Sequence, residues 1–319
     1  MPSVSERIVD CDSEVFKKNF NRLPHEVQHT LASDPLFQLP ALAELAQRVS
    51  ERKDPHHPKG DVYFDQGTGN SNRGTAKIDF AEIVAGIENG ATWMILKHIE
   101  REPRYREVFE NCVFNLLDLA GKDIVKNIKW FEAILFITSP NRVTEYHIDR
   151  ECSWLLQIQG NKDIHFFDRS DKEVLPDDEL ERYWAVDNLS AVYKPQYESR
   201  AMVFHMRPGT GVHSPVNTPH WLQNGNNVSV SLNINFQFHE SEWENLFKAN
   251  YYLRRAGVTP APPGKHPLAD HVKRRAYTAV QGIRRTVKGL PSVPSNEARQ
   301  HYHRIVDILG SRSSCSQAK

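Results

Sequence analysis

The stretch Val228-Ser-Val-Ser-Leu-Asn-Ile-Asn-Phe236 alternates apolar and polar residues without a break. A period of two is the pattern of a β-strand with one apolar and one polar face. Four β-rich runs separated by turn residues precede it: WFEAILFITS (130–139), SWLLQIQG (153–160), DIHFFD (163–168) and RAMVFHM (200–206). This spacing favours an antiparallel sandwich or jelly roll over a βαβ fold. We therefore predict a mainly β core over residues 129–240.

The residues before this core have a different character. Helical spacing is found in residues 12–52, 79–100 and 105–119, and the second of these begins with a capping box at Asp79. Residues 53–78 are rich in Gly, Pro, Asn and charge, which is typical of a long loop. We predict that residues 1–128 form a helical region, with this loop inside it, that packs on the core.

The C-terminal region, 241–319, is predicted to be a helical, basic extension. A capping box at Ser241 precedes one helix, and HVKRRAYTAVQGIRRTVK (271–288) forms another. From Tyr251 to the end, 13 residues are Lys or Arg and 3 are Asp or Glu, although the whole chain has 40 of each kind. Nucleic-acid binding is disfavoured because helix-turn-helix and zinc-finger signatures are missing. The apolar stripe of the first helix allows a homodimer through the C-terminal helices.

Composition excludes several classes of protein. The chain has 319 residues, 39% of them hydrophobic, which is ordinary for a globular protein and excludes a fibrous or wholly disordered one. The four cysteines lie far apart, which predicts a reduced, cytoplasmic protein without a disulfide framework. We expect no signal peptide and no membrane association, because the sequence has no long apolar run.

The segment Thr144-Glu-Tyr-His147-Ile-Asp149 places an imidazole and a carboxylate two residues apart. In a β-strand these two side chains share a face. Two histidines and one carboxylate on one face of a metal form the facial triad of non-haem Fe(II) oxygenases. Taken alone, such a pair is more often a hydrogen-bonded surface pair. A triad needs a second histidine, and GTGVHSPVNTPHW (209–221) offers both His213 and His220.

A second motif follows this pair in the sequence. Gln157-Ile-Gln-Gly160-Asn-Lys162 places a lysine after a glycine turn, 15 residues beyond His147. On these motifs, residues 130–240 resemble the JmjC and cupin-like branch of the Fe(II)/2-oxoglutarate oxygenases, which includes the asparaginyl hydroxylase of hypoxia-inducible factor and bacterial relatives. The N-terminal helices show a looser likeness. The resemblance implies a double-stranded β-helix, a jelly roll of the cupin/JmjC type, with flanking N-terminal and C-terminal α-helices.

The resemblance also implies the metal ligands. His147, Asp149 and His220 would hold Fe(II), because the family's distal histidine follows a proline-rich turn and precedes a strand that ends in Asn, as His220 does. His213 would then be a histidine of the pocket wall or of the core.

For the cosubstrate, the resemblance implies that Lys162 and Thr144 bind the far carboxylate of 2-oxoglutarate. Asn235 would line the cosubstrate cavity from the polar face of the last strand. Ser153 stands where the asparaginyl hydroxylase has an asparagine that helps to hold the cosubstrate.

A related oxygenase subclass binds this carboxylate through an arginine about ten residues after the distal histidine, a pairing that a guanidinium makes well. Val230 occupies that position here, and no arginine occurs between Arg207 and Arg254. Lys162 is therefore the available cation, which favours the JmjC-like interpretation.

The activity implied is that of a 2-oxoglutarate-dependent dioxygenase. With Fe(II) and dioxygen it would hydroxylate an unactivated C–H bond of a peptide or protein side chain, or of an amino-acid-like small molecule, and release succinate and CO2. The second interpretation is a non-catalytic, cupin-like ligand sensor or regulator whose basic tail binds nucleic acid or an acidic partner. An intact ligand set together with Lys162 favours the enzyme.

Overall fold

The computed structural model describes residues 7–52, 60–66, 79–88, 90, 92–121, 128–238 and 242–287. The strands are β1 Val9–Asp10, β2 His25–His29, β3 Val62–Gln66, β4 Thr92–Leu96, β5 Ile128–Thr138, β6 Val143–His147, β7 Cys152–Gln159, β8 Lys162–Phe166, β9 Met202–Met206, β10 Thr210–Ser214, β11 His220–Asn224 and β12 Ser229–Phe238. The α-helices are α1 Ser13–Asn19, α2 Leu39–Glu51, α3 Phe80–Gly86, α4 Pro103–Ala120, α5 Asp177–Ala185, α6 Glu242–Arg255 and α7 Pro267–Val287.

The strands form two antiparallel sheets. The larger has the order β1-β2-β10-β7-β12-β5-β4-β3, and the smaller has the order β6-β11-β8-β9. Between β5 and β12 the chain crosses from one sheet to the other at nearly every step, so that β10-β7-β12-β5 faces β6-β11-β8-β9. Eight strands wound in this way make a jelly roll. The predicted double-stranded β-helix with flanking helices is confirmed.

The main hydrophobic core lies outside this barrel. Alternate residues of the central strands, such as Trp154, Leu156 and Ile234, are buried against helices of the N-terminal region. The opposite residues of the same strands face the smaller sheet, where a second apolar cluster includes Leu155 and Phe166. Because one face is covered by helices, the other is free to enclose a cavity.

The N-terminal region contains more β-structure than we predicted. Strand β2 lies within residues 12–52, which we predicted to be helical, and it pairs with β10. Its residues alternate between buried and exposed, which is the pattern of a strand with one face against the core. The helix predicted over 79–100 ends at Gly86, and β4 follows as a partner of β5. Two glycines at 86 and 90 disfavour a continued helix.

The outcomes for the other predicted elements differ. Helix α4 confirms the helix predicted over 105–119. Strand β3 lies inside the loop predicted over 53–78, whereas residues 53–59 and 67–78 lie outside the described residues. Ser241, the cap proposed for α6, also lies outside them. The division into regions 1–128, 129–240 and 241–319 stays a prediction.

The two C-terminal helices pack on each other, and the first of them also packs on α5. Helix α6 packs on α5 through Phe247 and Trp184, whose rings are stacked with centroids 6.2 Å apart. Helix α7 leaves Leu268, Val272 and Ile283 exposed. The homodimer through these helices stays a prediction. None of the described helices combines the length and the apolar character needed to cross a membrane.

The turn between β7 and β8 depends on Gly160, whose φ is 72°. A Cβ at this position would overlap the carbonyl oxygen of Val228. We expect Gly160→Ala to lower the free energy of unfolding by about 2–5 kcal/mol, because left-handed strain costs about 1–2 and overlap about 1–3 kcal/mol. Chemical denaturation measures this. Gly257→Ala is the matched control, since Gly257 has a φ of 84° and open space around it. Equal losses in the two variants would contradict the steric argument.

Candidate metal centre

Two histidines and an aspartate converge where β6 and β11 meet. His147 ends β6, His220 begins β11, and the two residues are paired across the strands. Asp149 lies two residues beyond the end of β6, not within the strand as we expected. One ligand atom from each of the three residues lies within 4.8 Å of the others. The Oδ2 atom of Asp149 is 3.8 Å from Nε2 of His147 and 3.6 Å from Nε2 of His220.

Backbone contacts orient both imidazoles. Nδ1 of His147 is 2.6 Å from the Glu145 carbonyl oxygen, and Nδ1 of His220 is 2.9 Å from the Thr218 carbonyl oxygen. A carbonyl oxygen only accepts hydrogen bonds, so Nδ1 carries the proton in each neutral ring. The lone pair is therefore on Nε2, the atom that points towards Asp149. This arrangement, with one ring nitrogen donating to the backbone, is usual for metal-binding histidines.

The electrostatics of the site favour a neutral His220. Burial lowers the pKa of His220 to about 4, and the neighbouring His147 acts in the same direction, while Asp149 opposes both. Desolvation penalises the charged imidazolium in this way. A neutral imidazole is the form that binds metals, so His220 is ready to act as a ligand at neutral pH.

His213 lies on the other side of the larger sheet, in the hydrophobic core. It is fully buried, and its ring stacks on Phe20 at a centroid distance of 5.3 Å. Nε2 of His213 accepts a hydrogen bond from the backbone N–H of Asn21 at 2.9 Å, so Nδ1 donates to the Ser153 carbonyl oxygen at 3.0 Å. Both ring nitrogens are in use. The structure thus brings His220, and not His213, beside His147 and Asp149.

A cavity of about 130 Å³ extends from these three residues into the barrel. It is smaller than the roughly 300–1,000 Å³ typical of pockets for drug-sized ligands, which suits a small organic acid. The polar residues of its wall, besides the three converging side chains, are Thr138, Thr144, Ser153, Lys162, Ser214 and Asn233. The rest of the wall is apolar and comes from both sheets.

Lys162 supplies the positive charge of this cavity. Its side chain begins β8 directly after the Gly160 turn and is 6% exposed. Among the described residues, its ammonium makes no ion pair with a carboxylate, and burial alone lowers the pKa of Lys162 to about 7. A buried ammonium is costly unless it is paired. The cavity is therefore complementary to an anion.

Only part of the polar face of β12 lines the cavity. Inside the barrel, the side-chain amide of Gln157 donates to the Ser229 hydroxyl at 2.9 Å and accepts from the Ser231 hydroxyl at 2.7 Å. Asn233 lies in the cavity wall. Asn235, which we predicted to line the cavity, lies outside that wall and accepts a hydrogen bond from Asn233 at 2.8 Å.

Aromatic residues hold the two ligand strands together from outside the barrel. Tyr146 precedes His147, Trp221 follows His220, and the ring of Tyr193 lies 5.6 Å from Tyr146 and 6.5 Å from Trp221. The hydroxyl of Tyr193 donates to Glu198 at 2.7 Å, and the indole of Trp221 donates to the same carboxylate at 3.2 Å. These contacts fix the outward side chains next to the ligands, and so limit movement of β6 against β11.

Sequence reasoning missed Thr138, Ser214 and Asn233 of the cavity wall. Asn233 carried a signal, since it shares the polar face of β12 with Asn235. Ser214 carried none, because its position depends on the pairing of β10 with β7, where it lies opposite Ser153.

The donor set fits a divalent transition metal. Two imidazole Nε2 atoms and one carboxylate oxygen converge from one side, as in the facial arrangement that non-haem Fe(II) prefers. The uncompensated ammonium of Lys162 fits the far carboxylate of a bound dicarboxylic acid. Strand order and site together define a jelly-roll protein with a two-histidine, one-carboxylate centre.

Comparison with known proteins gave results at the level of structure alone. No protein-family model and no curated protein matches the sequence. The chain is similar to the ribosomal oxygenase YcfD of Escherichia coli, with 10% identity, coverage of 92% of this chain and 70% of that chain, and a TM-score of 0.47.

Two further solved structures are also similar to this chain, one over most of its length and one over about a third of it. YcfD in complex with cobalt and 2-oxoglutarate matches with 11% identity, covers 94% of this chain and 72% of that one, and has a TM-score of 0.47. A cupin superfamily protein of Desulfitobacterium hafniense has 13% identity, covers 34% and 68%, and has a TM-score of 0.22. The jelly roll of this chain is defined by its own strand order and register.

Proposed function

We propose that this protein is an Fe(II)- and 2-oxoglutarate-dependent oxygenase that hydroxylates a C–H bond of a protein side chain or of an amino-acid-like small molecule. The observation that carries the proposal is one cavity with His147, Asp149 and His220 at its mouth and the unpaired Lys162 in its wall. The first group suits Fe(II), and the second suits the far end of a dicarboxylic acid.

Three side chains would hold the metal. His147 and His220 would bind through Nε2, because Nδ1 of each donates to the backbone, and Asp149 would bind through its carboxylate. When bound, iron and 2-oxoglutarate supply the activation of dioxygen, with one oxygen atom going to the product and the other to succinate as CO2 is released. A facial set of three leaves the opposite face open for these ligands.

Lys162 would bind the far carboxylate of the cosubstrate, with Thr144 beside it in the same wall. The ammonium has no competing carboxylate among the described residues, so a bound dicarboxylate would supply the missing charge. Apolar residues such as Ile164, Phe166 and Leu222 line the remaining wall and exclude water. The cosubstrate would thus have one orientation, with its keto acid end at the metal.

The substrate has to approach from outside the barrel. A cavity of about 130 Å³ has room for the cosubstrate and leaves little for a second molecule. The reacting C–H bond would therefore belong to a single side chain or to a small molecule that reaches the metal from the mouth.

The decisive experiment adds Fe(II) and then 2-oxoglutarate to metal-free protein under anaerobic conditions. We expect the visible charge-transfer band of a chelated 2-oxo acid. Glutarate, which lacks the keto group, is the control and should give no band. Folded protein that gives no band with 2-oxoglutarate would contradict the proposal and would favour the non-catalytic sensor.

A further inference from the structure

A second cavity, of about 460 Å³, lies beside the metal centre. Arg150, in its wall, directly follows Asp149, and Asn217, also in the wall, donates its backbone N–H to the Asp149 carbonyl oxygen at 2.9 Å. The volume of this second cavity is within the roughly 300–1,000 Å³ of small-molecule sites. We call it the basic pocket, because Arg150, Arg169 and Lys172 all line it.

The guanidinium of Arg150 is held in place by aromatic rings. It lies 5.1 Å from the ring centroid of Trp184 and 5.2 Å from that of Tyr183, and it donates one hydrogen bond to the Tyr183 carbonyl oxygen at 3.0 Å. A guanidinium has five N–H donors. Among the described residues, no carboxylate lies within ion-pairing distance of Arg150. The group is thus oriented, and none of the described carboxylates forms a direct ion pair with it.

The guanidinium of Arg169 is likewise held in place by hydrogen bonds to the backbone. It donates to the carbonyl oxygens of Val216 and Asn21, at 2.5 and 2.7 Å, and both acceptors are neutral. The described residues offer it no ion pair either. These bonds tie the loop before β11 to the N-terminal region and fix the position of the second guanidinium.

The other charges of the wall are already paired. Lys172 forms an ion pair with Asp177 at 2.7 Å, and Glu244 forms one with Lys248. Among the described residues, Arg150 and Arg169 therefore line the basic pocket without a carboxylate in ion-pairing distance, and Glu151 and Asp168 act on them only from further away. Partly buried charges of the same sign are costly, and a bound anion would offset that cost.

The remaining wall is aromatic. Trp184 and Phe247 lie nearly parallel, with an interplanar angle of 12°, and Trp243 lines the same pocket. Such a surface binds flat apolar groups, and an arginine stacked on an aromatic ring is oriented for two-pronged contact with a carboxylate or phosphate.

We propose that the basic pocket binds the substrate through its acidic group, and that the substrate is a small carboxylate or phosphate with a flat apolar body. The inference rests on the proposed function, since it takes the pocket's ligand to be the molecule that is oxidised. Binding itself needs neither iron nor 2-oxoglutarate, so it can be tested separately from the charge-transfer band.

The test is calorimetric titration of metal-free, full-length protein with matched pairs of probes. The pairs are 1-naphthoate with 1-naphthamide, and adenosine 5′-monophosphate with adenosine. We expect at least one acid to bind about tenfold or more tightly than its uncharged partner, since charge-assisted bonds are strong. The pair that shows the preference distinguishes a carboxylate from a phosphate ligand. The proposal is overturned if no acid binds or if acids and neutral partners bind equally.

Two variants test whether the acid binds in this pocket. Arg150→Gln should reduce the preference for the acid about tenfold, whereas Lys162→Met, which changes the other cavity, should retain it. Loss of the preference in Lys162→Met but not in Arg150→Gln would assign the acid to the first cavity and overturn the proposal. The wild-type comparison needs no substitution, so the test holds even if Arg150→Gln fails to fold.

Discussion

Replacing His220 by alanine is expected to abolish the charge-transfer band of the Fe(II)–2-oxoglutarate complex, whereas replacing His213 by alanine leaves the band in place. His220 directs Nε2 at Asp149, 3.6 Å away, while both ring nitrogens of His213 are already hydrogen-bonded in the core. Changes around a ligand already cost about 10–100-fold in metal affinity, so loss of the ligand should cost more than about 100-fold. Anaerobic absorption spectroscopy and Fe(II) titration measure both quantities.

Stability should distinguish the same two variants in the reverse order: His213→Ala, which keeps the band, should be the less stable. His213 is fully buried between aromatic rings, so His213→Ala leaves a cavity and two unpaired backbone groups. We expect the free energy of unfolding to fall by about 2–5 kcal/mol, as for other large buried side chains. A band that disappears in folded His213→Ala and persists in His220→Ala would contradict the ligand assignment.

Replacing Lys162 by methionine should weaken the binding of 2-oxoglutarate by about 30-fold or more, because truncating one partner of a buried charge pair costs about 2–5 kcal/mol and about 1.4 kcal/mol is a factor of ten. Fe(II) binding should persist, since Lys162 is not among the three converging ligands. Titration of the Fe(II)-loaded variant with 2-oxoglutarate, followed by the visible band, measures the loss. Unchanged affinity would show that another group binds the far carboxylate.

The pH dependence of ligand-free protein provides a second test of Lys162. Burial lowers the pKa of Lys162 to about 7, against 10.5 for an ordinary lysine. Between these two values the unfolded chain binds more protons than the folded one, so the contribution of Lys162 to stability rises with pH. Below about pH 7 the folded protein holds a buried, unpaired ammonium. Lys162→Met should therefore be more stable than the wild type at pH 6, and the difference should shrink towards pH 10.

The affinity for 2-oxoglutarate should change with pH in the opposite direction. Binding to the far carboxylate requires the charged ammonium, which the ligand-free protein loses as pH rises through about 7. We expect affinity to fall as pH rises above 7 in the wild type and to change less in Lys162→Met. Melting curves and titrations between pH 6 and 9.5 check both expectations, and equal pH profiles for the two proteins would contradict them.

The local sequence pattern was sufficient for much of the jelly roll. Alternation in β12 and the β-rich runs of β5, β7, β8 and β9 follow from side-chain periodicity, which is a property of neighbouring residues. The same reasoning failed for β2 and β4. Both strands exist because they pair with distant partners, β10 and β5, and such pairing leaves only a weak local signal.

Periodicity tells which residues of a strand share a face, but not which face lies inside the barrel. His213 and His220 are both buried, on strands of different sheets, and only the sheet order places one in the core and the other at the metal centre. The resemblance favoured His220, whereas the residues alone left both open. Asn233 and Asn235 show the same limit within one strand, because the extent of the cavity along β12 depends on the opposite sheet.

Short-range patterns were enough to predict the β-rich core, the His147–Asp149 pair and the lysine that follows a glycine turn. Folding was needed to show that Lys162 has no carboxylate partner among the described residues, and that Arg150 and Arg169 share one pocket with Trp184 and Phe247. Burial and charge compensation are sums over residues that are distant in the chain. They therefore exist only after folding has brought those residues together.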